Sequence, residues 1–249
     1  MALPLARLAE PLIQAHAQGS RFVARPETGP DSDAMAYAVQ AQVWHRVVGT
    51  ERPRAWKVGA ASRDAEPLAA PVFPRGLATS PARFSAGSFG SVAVEAEIAF
   101  RFGRDLPASD QDPDRATLLA AIASAHVAME LVDTRLADPE AAGPQWRLAD
   151  NLLNGGLVIG EAIPDWQTKD FSAQAVRILV DDAVLAQAPG APPLGDLLHC
   201  LPWWIRHIGG VRAGDLVTTG AWSGAHPVPM PATVTVEFPG LGSARVRLD

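Results

Sequence analysis

The chain has 249 residues, of which 48% are apolar, and this length suits one globular domain or one domain with a small helical lobe. Its charged fraction of 19% and its seven Trp residues argue against a disordered chain, and its net charge of −6 argues against nucleic acid as a partner. Cys200 is the only cysteine, so an internal disulfide is excluded and a reducing compartment is indicated.

The sequence predicts no targeting or membrane segment. Residues 1–19 are moderately apolar, but Arg7, Glu10 and His16 interrupt them and no basic stretch precedes an apolar core, so they do not resemble a signal peptide. No other stretch approaches the roughly 20 apolar residues that span a bilayer. We therefore expect a soluble cytoplasmic protein without a membrane partner.

The first fifty residues predict two helices. Leu5, Leu8, Leu12 and Ile13 recur at helical spacing before Gly19, a residue type that commonly ends a helix. The polar residues at positions 31–33 offer N-cap oxygens to a second helix, which is expected to end near position 49. Residues 56–86 are rich in Pro, Gly and Ala and predict short strands and loops.

The remaining elements follow in chain order. They are a strand at 92–101, a helix at 112–122, a segment at 125–136 that fits strand or helix, a turn and strand at 149–160, a hairpin at 176–185, a helix at 194–208, a turn and strand at 211–220, and two strands within 233–248.

The strand at 92–101 carries two glutamates on one face. The residues at even positions from 92 to 100 are all apolar and share the other face, while Glu95 and Glu97 lie about 7 Å apart. Two carboxylates held side by side repel unless a cation or a proton lies between them, and Mg²⁺ prefers such oxygen ligands. The same pattern also fits an ordinary amphipathic strand with a solvated acidic face.

A third glutamate, Glu130, lies among apolar residues. A buried Glu needs a cation, a proton or a hydrogen-bond network, and Arg135 is a local candidate for an ion pair. If the segment is a helix, His126 lies one turn from Glu130 and both could bind a metal. If it is a strand, the two residues are about 13 Å apart and could not.

Two further motifs contain polar residues that each fit more than one role. Asp150 and Asn151 precede a Gly155-Gly156 pair and fit a turn or a helix cap. Lys57 lies in an apolar stretch before a glycine, which fits either a substrate-facing ammonium or a lysine whose tail reaches solvent.

Together these segments resemble the 2-keto-4-pentenoate hydratase family of the fumarylacetoacetate hydrolase superfamily. The matching segments are Trp-Lys-Val-Gly at 56–59, the Glu-x-Glu strand at 94–100, the segment at 128–136, Ala-Asp-Asn at 149–151 and the Gly-Asp-x-x-x-Thr-Gly strand at 214–220. Their order and rough spacing agree with that family, and the similarity covers residues 3–248.

The resemblance implies a mixed α/β fold with a β-roll core of the fumarylacetoacetate hydrolase type and a small helical N-terminal region. It divides the chain into an N-terminal α/β region at residues 1–70 and a catalytic domain at residues 71–249. It also implies a homo-oligomer.

The resemblance further implies a divalent-metal-dependent hydratase, a lyase, that holds Mg²⁺ or Mn²⁺ through Glu95, Glu97 and Glu130. The substrate class is a 2-hydroxy-2,4-dienoate or a related 2-oxo acid from the catabolism of aromatic compounds. Such an acid can chelate the metal through a carboxylate oxygen and its keto oxygen, and the metal then stabilises an enolate. Lys57 is expected to transfer a proton or to bind the substrate carboxylate, and Asp150 is a candidate acid/base or supporting group.

Three more residues are candidates for substrate contacts. Arg135 is expected either to bind an anion or to hold Glu130 or Asp133 in an ion pair, and Ser62 and Ser223 are expected to line the pocket.

Some segments depart from the family pattern and keep other activities open. Ala-Pro-Pro-Leu at 191–194 replaces Gly-His-Pro-Leu, residues 71–76 replace Pro-Asp-Phe-Gly, and Trp222 lies in the loop after the late strand. A 2-oxo acid decarboxylase would share nearly every feature. A hydrolase of the acylpyruvate or fumarylacetoacetate type would need a His/Glu pair that is not found at a matching position. A non-catalytic metabolite-binding relative is the alternative from another class.

Overall fold

The structure, a computed structural model, describes residues 4–249 of the chain. Residues 1–3, the start of the moderately apolar N-terminal segment, lie outside the described residues. Within the described part there are six α-helices: α1 Leu5–Gln18, α2 Asp33–Val47, α3 Arg115–Ala121, α4 Pro139–Ala142, α5 Pro144–Ala149 and α6 Leu201–His207.

The same part of the chain forms fifteen strands. They are β1 Ala55–Gly59, β2 Leu68–Pro71, β3 Leu77–Thr79, β4 Ala82–Phe84, β5 Val92–Phe102, β6 Leu106–Pro107, β7 Ile122–Val132, β8 Asn154–Ala162, β9 Val176–Val180, β10 Ala183–Ala188, β11 Gly210–Val211, β12 Leu216–Thr218, β13 His226–Val228, β14 Ala232–Phe238 and β15 Gly242–Leu248.

The two predicted N-terminal helices are confirmed as α1 and α2. Gly19 takes the left-handed conformation at the end of α1, with φ of 62°. The Ser32 side chain accepts a hydrogen bond from Met35 N and caps α2. Both helices pack with α5 in a separate apolar cluster that includes Leu12, Val39 and Trp146.

An eight-stranded mixed sheet holds the longest strands. Its order is β2-β1-β12-β5-β7-β8-β3, with β13 paired to β5, and the β1–β12 and β3–β8 pairs are parallel. A second, five-stranded sheet has the order β10-β9-β14-β15-β4. The main core joins the two sheets and contains Ile98 and Met129 from the first sheet with Val234 and Val246 from the second. The mixed α/β architecture agrees with the prediction.

The ambiguous segment at 125–136 is a strand through Val132, so the helical alternative is excluded. His126 therefore does not join Glu130 at a metal. Its ring instead lies 2.9 Å from Ser124 Oγ and 3.2 Å from the Gly160 carbonyl oxygen.

The predicted hairpin agrees with the structure, whereas the predicted late helix is longer than the observed one. Asp181 and Asp182 both have positive φ, as a two-residue β9–β10 turn requires, so the hairpin is confirmed. The helix predicted at 194–208 starts only at Leu201. Leu194 and Gly195 both have positive φ, which an α-helix does not tolerate, and this prediction was too long.

No helix in the described part of the chain is long and apolar enough to cross a membrane.

Candidate metal centre

The three predicted glutamate ligands meet on one face of the β5–β7 ladder. Glu95 lies directly opposite Glu130 in the antiparallel register, and Glu97 lies two residues further along β5 on the same face. The alternate β5 residues, such as Val94 and Ile98, point into the main core. The same alternation that builds the core therefore places the carboxylates together.

These carboxylates form a compact cluster in which Glu97 and Glu130 are buried and Glu95 is partly exposed. One carboxylate oxygen from each of Glu95, Glu97 and Glu130 lies within 4.8 Å of the others. Glu97 is 1% exposed and Glu130 is fully buried. At an effective dielectric constant of about 20, two unit charges at this separation repel by about 3 kcal/mol, so the cluster needs positive charge nearby.

The crowding of carboxylates changes their protonation. Burial, reinforced by the charge of Glu130, raises the pKa of Glu95 to about 7, although Lys57 opposes this shift. Burial and the charges of Glu130 and Glu95 raise the pKa of Glu97 well above its ordinary value. Protons therefore compete with any cation for these ligands in the neutral pH range.

Lys57 supplies one positive charge to the cluster. It lies on β1, between Thr218 of β12 and Ala70 of β2. Its Nζ donates to Glu130 Oε1 at 2.6 Å and to the Leu152 carbonyl oxygen at 3.3 Å. Burial lowers the pKa of Lys57, but the three surrounding glutamates raise it above its ordinary value, so Lys57 carries an ammonium.

The donor set fits a hard divalent cation. Three carboxylates against one ammonium leave a net negative charge. Within the part of the chain that the structure describes, Glu97 Oε2, Glu130 Oε2 and Asn154 Oδ1 are buried without a hydrogen-bond partner. The cluster consists of carboxylates alone, which Mg²⁺ and Mn²⁺ accept readily. The structure brings the predicted ligands together, and their binding of a metal stays a prediction.

Asp150 and Arg135 bind each other instead of the glutamates. The Asp150 carboxylate accepts hydrogen bonds from Arg135 Nε, Arg135 N and Thr134 Oγ1. Asp133 pairs with Arg21 at 2.8 Å. The interpretation that Arg135 forms an ion pair with Glu130 or Asp133 was therefore wrong. An anion-binding role for Arg135 and an acid/base role for Asp150 remain predictions.

Ser62 lies in the loop after β1, and Ser223 lies in the loop between β12 and β13. Ser62 is exposed in the turn after β1. Ser223 Oγ is buried and has no hydrogen-bond partner among the described residues, and the Ser223 carbonyl oxygen lies 2.9 Å from His226 Nε2. Within residues 4–249, neither side chain is hydrogen-bonded to the cluster, and their place in a substrate pocket stays a prediction.

One residue of the centre was missed by the sequence analysis. Asn154 Nδ2 donates to Glu130 Oε1 at 2.9 Å. Asn154 lies four residues after Asp150, in the polar segment that was interpreted as a turn. Its position on the glutamate face depends on a β-bulge, which no local periodicity indicates.

The class of this protein follows from its fold and its site. It is a mixed α/β protein whose sheet carries a cluster of three glutamates suited to a divalent cation. The chain belongs to the fumarylacetoacetate hydrolase family, since the family model described as fumarylacetoacetate (FAA) hydrolase C-terminal matches residues 51–249.

Two named relatives and one solved structure show which members of the family this chain is similar to. The chain is 31% identical to 2-keto-4-pentenoate hydratase of Burkholderia vietnamiensis, over 97% of this chain and 96% of the relative. It is 32% identical to 2-keto-4-pentenoate hydratase of Paraburkholderia phymatum, over 92% of each chain. The fold is similar to that of 4-oxalocrotonate decarboxylase from Pseudomonas putida G7, complexed with magnesium and adipate. The TM-score is 0.83, the identity is 22%, and 98% of this chain and 96% of that chain are covered. The predicted family and fold are confirmed, and both relatives carry the predicted enzyme class, that of a hydratase.

Metal affinity is expected to fall as the pH is lowered from 8 to 5. The pKa of Glu95 is raised to about 7 and that of Glu97 is raised above its ordinary value, so protons occupy more of these carboxylates as the pH falls. Because the metal binds the ionised form, each proton must leave before the cation can bind. Calorimetric titration with Mn²⁺ at several pH values measures this effect. Equal dissociation constants at pH 5 and pH 8 would contradict the assignment of these carboxylates as ligands.

Proposed function

We propose that the chain is a divalent-metal-dependent hydratase that adds water to a 2-hydroxy-2,4-dienoate or its 2-oxo tautomer. The observation that carries this proposal is the largely buried cluster of Glu95, Glu97 and Glu130, with Lys57 at its edge. The two relatives named 2-keto-4-pentenoate hydratase, each aligned over nearly the full chain, support the substrate class. The magnesium in the decarboxylase complex supports Mg²⁺ as the cation.

When bound by the three glutamates, a divalent cation supplies Lewis-acid stabilisation of the negative charge that develops on the oxygens of a 2-oxo acid. The buried setting strengthens every such interaction, because little water competes for the charges. In a net hydration, one hydrogen of water is added to a carbon of the double bond and the hydroxyl to the other carbon.

Lys57 is the residue best placed to assist this reaction. An ammonium has three N–H donors, and two of them are used by Glu130 and the Leu152 carbonyl. The third donor is available to a substrate oxygen. Because the glutamates keep Lys57 charged, we propose that it binds the substrate carboxylate or donates a proton, and does not begin the reaction as a base.

The other predicted residues have supporting places in this proposal. The contacts of Asp150 with Arg135 and Thr134 favour a role in holding the turn before β8 over direct acid/base work. Arg135, Ser62 and Ser223 remain candidate substrate contacts. We also propose a homo-oligomer, which light scattering in solution would test.

A 2-oxo acid decarboxylase is the second candidate. The fold similarity to 4-oxalocrotonate decarboxylase favours it, and an enolate stabilised at the same centre would serve this reaction as well.

Turnover assays distinguish these candidates. We expect 2-hydroxypenta-2,4-dienoate with Mg²⁺ or Mn²⁺ to lose its diene absorbance and to give a 4-hydroxy-2-oxo acid detectable by NMR, and we expect EDTA to abolish the reaction. Release of CO₂ from an unsaturated 2-oxo diacid without hydration of the dienoate would favour the decarboxylase. If neither reaction occurs and the C3 protons of pyruvate do not exchange in D₂O with metal present, the proposal is wrong.

A further inference from the structure

The carboxylate of Glu130 is held by one oxygen only. Glu130 Oε1 accepts hydrogen bonds from Lys57 Nζ at 2.6 Å and from Asn154 Nδ2 at 2.9 Å. Glu130 Oε2 is buried and has no hydrogen-bond partner among residues 4–249. Two donors on one oxygen stop the carboxylate from turning about its last side-chain torsion, which is otherwise broad. The other oxygen is left free in a fixed direction.

Asn154 reaches Glu130 because of a β-bulge in the β7–β8 ladder. Glu130 pairs with Leu157, and strict alternation would place residue 155 beside it on the same face. The register shifts between Leu131 and Val132, so that Val132 pairs with Asn154. A bulge commonly re-aims a side chain in this way beside a functional site.

The residue after Asn154 must be a glycine for the bulge to form. A Cβ atom at Gly155 would lie 2.8 Å from the Asp133 Cβ atom and 3.0 Å from the Leu131 carbonyl oxygen. Leu131 belongs to β7, and Asp133 directly follows that strand and donates from its backbone N–H to the Leu153 carbonyl oxygen, so neither neighbour can move away without disturbing the pairing at this end of the ladder.

The backbone before Asn154 is strained and tightly held. Asn151, Leu152 and Leu153 have φ values of 53°, 51° and 62°, a left-handed run that costs of order 1–3 kcal/mol per non-glycine residue. Asn151 Nδ2 donates to the Pro71 carbonyl oxygen at 3.1 Å, and Arg135 donates to the Asn154 carbonyl oxygen at 3.0 Å. This run also presents the Leu152 carbonyl oxygen to Lys57. Strain of this kind persists where the surrounding contacts over-determine it, as they do beside this centre.

We propose that Asn154 is a positioning residue for the metal centre, which fixes Glu130 by its Oε1 atom so that Oε2 is free for the cation. This inference rests on the proposed metal centre and adds to it the residue that orients one ligand. The partners that orient metal ligands contribute about 10- to 100-fold to metal affinity in other proteins. A residue that served only to pack the turn would contribute to stability and not to affinity.

The test compares Asn154→Ala and Asn154→Ser with the wild type by calorimetric titration with Mn²⁺ in the absence of substrate. We expect the dissociation constant to rise about 10-fold or more in both variants, because neither side chain retains the amide donor. If Asn154→Ala does not fold, Asn154→Ser decides the outcome, since a small polar residue fits the same space.

Gln40→Ala is the matched control. Gln40 is also a buried amide, but it donates to the Leu148 carbonyl oxygen at 2.9 Å, within the N-terminal helical cluster. We expect Gln40→Ala to lower the melting temperature and leave the Mn²⁺ dissociation constant unchanged. Folded Asn154 variants with dissociation constants within twofold of the wild type would overturn the inference. The titration contains no substrate and therefore tests metal binding only. If the wild type binds Mn²⁺ but does not hydrate a dienoate, the proposed function is contradicted and the inference about Asn154 is not.

Discussion

Lys57→Met is expected to lower kcat by about 100-fold or more on a substrate that the wild type hydrates, the usual scale for loss of a positioned acid–base group. Methionine roughly keeps the length of the side chain and removes the ammonium that contacts Glu130 and the Leu152 carbonyl oxygen. Steady-state kinetics at saturating Mg²⁺ measures the change.

The same substitution also removes the positive charge within the glutamate cluster. We therefore expect the metal-free variant to melt at a lower temperature than the wild type, and bound metal to restore most of the difference. Lys169→Met is the matched control, because Lys169 is the only other lysine in the chain and makes no ion pair among residues 4–249. A folded, metal-loaded Lys57→Met enzyme with wild-type kcat would end the assignment of Lys57 to the reaction.

Glu97→Gln is expected to weaken Mn²⁺ binding by more than about 100-fold and to abolish turnover at ordinary metal concentrations. The loss of metal affinity should exceed that of the Asn154 variants, because Glu97→Gln removes a ligand atom and its charge and not only a residue that orients a ligand. Calorimetry gives the affinity, and kinetics over a range of Mn²⁺ concentrations shows whether excess metal restores activity.

Although Glu97→Gln should weaken metal binding, it should stabilise the metal-free protein. The pKa of Glu97 is raised on folding, so its ionised carboxylate destabilises the folded state as the pH rises above the unfolded value of 4.5. Glutamine removes this penalty, and metal-free Glu97→Gln should be more stable than the metal-free wild type at pH 8. Glu237→Gln is the control, since Glu237 is a partly exposed β14 glutamate paired with Arg177 at 3.7 Å. A Glu97→Gln protein that binds Mn²⁺ like the wild type would remove Glu97 from the ligand set.

The local features of the fold were predictable because they depend on short-range periodicity. Alternation along residues 92–101 placed Glu95 and Glu97 on one face, and the structure agrees. Capping residues located α1 and α2 in the same way. The late helix was predicted too long, because positive φ at Leu194 and Gly195 is a backbone property that apolar spacing does not reveal.

The meeting of distant residues was not predictable from local pattern. Glu130 faces Glu95 through the register of two strands between which β6 and α3 lie in the chain, and only the family resemblance predicted that the two residues meet. Asn154 reaches the same face through a bulge that breaks the alternation. The Arg135–Asp150 pair was not predicted. Arg135 has an acidic residue, Asp133, much nearer in the sequence, and Asp150 fitted a turn or a helix cap.

The β5–β7 register has a consequence for how such a site can change. Sliding β5 by one residue against β7 would turn Glu95 and Glu97 into the apolar core and expose Val94 and Ile98 on the opposite face. The strand register that buries the apolar core is therefore also the one that brings the carboxylates together. Whenever the apolar face of the sheet points inward, the carboxylates must lie on the opposite face. Substitutions in the surrounding loops can accumulate without moving these ligands, so new substrates can be accommodated around a centre whose position is inherited with the fold.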